Sequence, residues 1–151
     1  KANSLPWMLP EEAAAGYAMT KAGHKRSNEQ LSIAGLTPGL YKIEIDGQNL
    51  GKRFPHVTLG RKIELQENTA TPQYRQAAKV AALVKQRFER AHVPYRDVQA
   101  RMKGPRRKHG LDSPEIVACR KTIQPQLDAL TARGEAYDDA IHTTAQPRAL
   151  R

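Results

Sequence analysis

From Gln30 to Leu65 apolar residues tend to recur at every second position. Leu31 and Ile33 bracket Ser32, and Tyr41, Ile43 and Ile45 alternate with Lys42 and Glu44. A period of two turns one face of an extended chain toward a core and the other toward water, so these stretches predict half-buried strands. Breaks fall at Gly35-Leu36-Thr37-Pro38-Gly39 and at Asp46-Gly47, the second a hairpin signal because glycine accepts positive φ. The pattern predicts a meander of three short antiparallel strands near 31–34, 40–45 and 48–51. A fourth is expected at 62–65, after a short turn that runs from Phe54-Pro55 to Gly60.

At Pro72 the period lengthens to that of a helix, with Thr71 placed to cap it. Tyr74, Ala81 and Phe88 repeat at seven, with Ala77, Val84 and Ala91 between them, which makes a heptad seam. Val93-Pro94 is expected to end this helix, because the residue before a proline is pushed out of helical geometry. Ser113-Pro114-Glu115 reads as a second start, and Ile116, Ile123, Leu130 and Tyr137 again repeat at seven beside Leu127 and Ile141. Pro125 and Gly134 predict a kink, or a restart near Thr122 to Pro125. Two seams joined by a loop predict an antiparallel helical hairpin.

The fold class is therefore α+β, a small antiparallel β meander of three to four short strands followed by the hairpin. Residues 1–29 read as a linker in which Pro10 and the alanine-rich stretch allow a short helix at 11–18, followed by polar loop. Residues 30–66 form the β unit, 72–142 the hairpin with its interhelical loop, and 143–151 an irregular tail.

Charge adds a feature that periodicity does not show. Lys and Arg number 25 against 15 Asp and Glu, a net +10, and such an excess favours nucleic acid, acidic polysaccharide or anionic lipid. Its densest run, Arg101, Lys103, Arg106, Arg107 and Lys108, lies between the predicted helices, with Arg96 before it and Arg120 and Lys121 after it. Six or more such contacts to a polyanion would give strongly salt-dependent binding. A solvated hairpin tip would carry the same residues with no ligand, and the aromatic side chains that stack on single-stranded bases are not interleaved here. No apolar run reaches the ~18–20 residues a membrane-spanning helix needs, and the start KANSLPWMLPEE lacks the layout of a signal peptide. The compartment stays open. The heptad faces offer a further reading, self-association of the hairpin.

Candidate chemistry is sparse. Cys119 has no partner for an internal disulfide and sits among Ile116, Val117 and Ile123 as a small hydrophobe. His24, His56, His92, His109 and His142 include no i, i+4 pair that would set two imidazoles on one helical face. Ser4, Ser27, Ser32 and Ser113 lack a G-x-S-x-G or G-D-S setting, and Asp138-Asp139 near His142 is as readily a solvated helix surface as a base with its orienting carboxylate. No G-x-G-x-x-G or P-loop is present. Catalytic, cofactor and metal-binding residues are accordingly assigned as none.

Three stretches carry a resemblance: LPWMLPEEAAAGYAM, LSIAGLTPGLYKIEIDGQNLG and IELQENTATPQYRQAAKVAALVKQR, with the ending YDDAIHTTAQPRALR. In this order they resemble the region that follows the catalytic core in bacterial GDSL-type (SGNH) hydrolases of planctomycete type. The second is the most specific, similar to L-x-V/I-x-G-L-x-x-G-x-Y-x-L-x-I-D-G-x-x-V/L-G. The likeness covers nearly the whole chain and is weakest between Phe88 and Leu127. It implies an accessory region docked on an esterase domain whose G-D-S nucleophile, oxyanion donors and D-x-x-H pair lie upstream, so that this sequence is expected to be a fragment or a processed product. No catalytic residue carries over. Where those relatives have an acidic turn such as A-E-E-L, this chain has Pro55-His56-Val57-Thr58-Leu59.

Overall fold

In the computed structural model, which describes residues 5–20, 29–111 and 113–147, the alternating segment forms four strands in two antiparallel pairs. They are β1 (Gln30–Leu31), β2 (Leu40–Ile45), β3 (Gln48–Pro55) and β4 (Ile63–Glu64). β2 and β3 make the expected hairpin, and Asp46 (φ 51°) with Gly47 (φ 72°) closes it with positive φ at both central residues, as a type I′ turn requires. The expected meander is corrected at its first strand, because β1 pairs with β4 rather than β2. Eight residues separate β1 from β2, too many for a tight hairpin, and Ile33 N–H donates instead to Leu59 C=O at 2.9 Å.

The third strand is longer than its pattern suggested because of a bulge. Lys42 pairs with Arg53 and Glu44 with Asn49, so Leu50, Gly51 and Lys52 all lie opposite Ile43. Gly51 takes φ 89° there, and its N–H donates to Asn49 Oδ1 at 2.8 Å. Two extra residues preserve the inward face, so that Leu50 and Phe54 are both buried with Ile43, Leu59, Ile63 and Leu65. The turn expected after Pro55 is a helix, α2 (His56–Arg61), which places Leu59 in this core at 1% exposure.

Helix α3 (Pro72–Arg87) starts as its sequence predicts. Thr71 Oγ1 accepts from Tyr74 N–H at 3.2 Å and donates to Asn68 C=O at 2.9 Å, while Asn68 Nδ2 reaches Leu50 C=O. At the amino-terminal side a 3-10 turn at Glu11–Ala13 leads into a helix, α1 (Ala14–Thr20), which ends two residues later than expected. The loop read after it lies, over 21–28, outside the described residues.

The chain divides into two units, residues 1–81 with 145–151, and residues 82–144. In the second, the helix does not end at Val93-Pro94. A wide π turn at Phe88–His92 leads directly into α4 (Val93–Ala100). Pro94 has no N–H to give the Arg90 carbonyl, and that oxygen instead accepts from Arg133 Nη1 at 3.4 Å. The interhelical loop is corrected too: most of it forms α5 (Lys103–His109), ended by Gly110 at φ 84°. The last helix, α6, runs unbroken from Pro114 to Ala145, without the restart that Pro125 allowed and three residues into the expected tail. Residues 148–151 lie outside the described residues.

The antiparallel hairpin itself is present. Arg87 meets Asp138, Ala91 faces Gly134 and Arg101 reaches Gln126, so each step forward on one helix is a step back on the other. Ile116, Ile123, Leu127 and Leu130 of the heptad seam are buried against Val98 and Met102. The first seam is only partly used, since Val84 and Phe88 remain about half exposed.

Candidate polyanion-binding surface

The eight cations singled out in the sequence all belong to the second unit, on a helical frame. Arg96 lies on α4, Arg101 in the turn after it, Lys103, Arg106, Arg107 and Lys108 on α5, and Arg120 and Lys121 in the second turn of α6. All eight are exposed. Among the described residues none of them forms an ion pair, in contrast to Lys85 with Glu89 and Arg87 with Asp138 at the other end of the hairpin. Their visible partners are neutral: Arg101 Nη1 donates to Gln126 Oε1 at 3.2 Å, and Arg106 Nη2 lies 4.0 Å from the sulfur of buried Met102.

α5 has the sequence KGPRRKH, with no acidic residue and no buried side chain. Its Pro105 falls in the first turn, where a missing N–H is harmless, and Arg106 to His109 occupy the last turn, where each cation gains ~0.3–1 kcal/mol from the helix dipole. Lys103, Arg106 and Arg107 stand at i, i+3 and i+4, each like-charged pair costing ~0.2–0.5 kcal/mol. The proline near the start, the terminal cations and Gly110 were the signals from which this helix could have been found. Glu115 is engaged at the start of α6: hydrogen bonds from its own backbone N–H and then from the Ser113 hydroxyl hold its carboxyl below the usual range. Ser113 Oγ also accepts from Ile116 N–H at 3.3 Å, as a cap should.

The other candidates are occupied by structure. Asp138, half of the suggested base pair with His142, holds Arg87: Nη2 donates to Oδ2 at 2.9 Å, and Nε lies 2.7 Å from Oδ1 but out of line for a second hydrogen bond. Ser32 donates to Gly60 C=O at 3.2 Å, His56 Nδ1 accepts from Gly39 N–H at 3.3 Å, and the His92 ring stacks on Phe88 with centroids 5.5 Å apart. Cys119 is half-buried against the second core. Among the described residues no three His, Cys, Asp or Glu side chains converge as metal ligands, and no helix is long and apolar enough to cross a membrane. Ser4, Ser27 and His24 lie outside the described residues.

Signature residues of the resemblance have architectural roles in the structure. Gly35, Gly47 and Gly51 take positive φ, Ile43, Leu50, Ile63 and Leu65 are buried, and Tyr41 Oη donates to Thr37 C=O at 2.8 Å.

No protein-family model matches this chain, and no curated protein does. Among solved structures, that of a gut microbial diltiazem-metabolizing enzyme superposes with a TM-score of 0.70 at 19% identity, over 98% of this chain. The chain spans 40% of that enzyme's length. At this identity the likeness is one of fold.

Proposed function

We propose that this chain is the non-catalytic C-terminal accessory region of a GDSL/SGNH-type serine esterase, docked on a catalytic domain that hydrolyses acyl or acetyl esters. The observation that carries the reading is the use made of the most specific motif. Three of its four glycines, Gly35, Gly47 and Gly51, take positive φ, and its apolar positions fill the core around Ile43 and Leu50. A motif spent wholly on turns and packing describes a scaffold, which fits a region that supports chemistry done elsewhere. The likeness in fold to 40% of a larger enzyme is in keeping with such a module. In the whole protein the resemblance implies a serine nucleophile, a histidine base and an oxyanion hole.

The test is the gene. The reading frame 5′ of the Lys1 codon is sequenced and the longest product expressed. A G-D-S block upstream, hydrolysis of p-nitrophenyl acetate, and loss of that activity when the block's serine becomes alanine are the expected results. A frame that begins at or just before Lys1 overturns the proposal.

A further inference from the structure

The positive charge of the second unit is polarised along the hairpin. Between Arg96 and Lys121 eight Lys and Arg face three acids, Asp97, Asp112 and Glu115. The remainder of the unit carries four, Lys85, Arg87, Arg90 and Arg133, against five acids. One end is therefore strongly cationic while the other is near neutral and partly paired within itself. Dipole stabilisation explains cations in the last turn of α5 but not Arg101, Lys103, Arg120 or Lys121, which lie outside it.

We propose that this cationic end binds an acidic polysaccharide, with Lys103, Arg106 and Arg107 on one side of α5 as the central contacts. An array of like charges on a short helix with no buried anchor is at odds with itself until a counter-charged chain lies across it. Two features favour a thin polyanion without bases over nucleic acid. Among the described residues no exposed Phe, Tyr or Trp is interleaved with the cations to stack on a single strand. A duplex extended along the hairpin would leave the basic end and meet Asp128, Glu135 and Asp139, whereas a single flexible chain can cross the tip alone. Recruitment of such a polysaccharide as the esterified substrate rests on the hydrolase reading; the binding does not.

The full chain is titrated with fluorescent heparin and polygalacturonate, with a 20-base-pair DNA duplex, and with vesicles of 30% phosphatidylserine. Four α5 contacts, the central three with Lys108 beside them, predict an affinity loss of about 50- to 150-fold between 50 and 200 mM salt. The double variant Arg106→Gln/Arg107→Gln should weaken polysaccharide binding on the order of tenfold or more and roughly halve the salt slope. Lys42→Gln/Arg53→Gln removes equal charge from exposed positions on β2 and β3 and should leave binding unchanged. Equal losses in both double variants, tighter binding to DNA or vesicles, or affinity indifferent to salt would each overturn the proposal. Should the gene lack a G-D-S block while the α5 variant still loses affinity, binding stands and only the substrate role falls.

Discussion

Gly134→Ala tests the packing of the helical hairpin most directly. Gly134 is buried in the interior of α6, and a Cβ built on it would lie 3.8 Å from the Ala91 Cβ, an ordinary van der Waals contact. Glycine inside a helix costs roughly 0.5–1 kcal/mol relative to alanine, because its unfolded backbone has more freedom to lose. With no clash to oppose it, alanine should stabilise the unit by about that amount, aided slightly by the new methyl contact. For a unit of this size the gain corresponds to a rise of about 2–8 °C in Tm, read by calorimetry or by helical circular dichroism at fixed pH. Gly134→Leu would push further carbons toward Ala91 and should lower stability by ~1–3 kcal/mol. If Gly134→Ala melts below the wild type, the helices approach more closely than 3.8 Å allows, and the register that sets Ala91 against Gly134 is wrong.

Thr71→Ala should cost about 1–2 kcal/mol in urea unfolding, since it removes a helix cap and a hydroxyl that donates from a fully buried position; Thr71→Ser should recover most of it, and equal losses in both would refute the capping role. Glu29 is half-buried, its Oε2 has no hydrogen-bond partner among the described residues, and burial raises its pKa above 4.5. The folded state therefore holds this proton more tightly than the unfolded state, so the contribution of Glu29 is full below the unfolded pKa and is lost as pH rises through the folded one. Glu29→Gln should melt higher than the wild type at pH 7 and show no such advantage near pH 3.5, and an equal shift at both values would contradict the assignment.

Features fixed by neighbouring residues were legible in the sequence. Asp46-Gly47 needed only its own φ preferences to define a turn, and Thr71 and Ser113 needed only a helix start within three residues. The partner of β1 was not legible, because Leu31 pairs with Ile63 across a separation that no period reports. Pro94 misled for a related reason. The local rule ends a helix there, but Arg133 arrives from the facing helix to take the carbonyl that proline leaves free. The basic segment reads as a loop because KGPRRKH has no apolar period, and its helical ends are marked only by Pro105 and Gly110. The eight cations could be named from the sequence, but not that they share a helical frame and form no ion pair among the described residues. The fate of Asp138 was also hidden, since Arg87 lies a long way back along the chain.

The π turn at Phe88–His92 bears on how the length of this chain can change. A wide turn holds one residue more than an α-helical turn does. A single deletion within it would restore α geometry and leave both flanks in phase, with Val98 still directed at the core. The same deletion in the middle of α6 would rotate everything beyond it by about 100° and separate Ile116 and Ile123 from Leu127 and Leu130 on the helix surface. Of the two arms of the hairpin, the first can absorb a deletion locally, and the second has to keep its count.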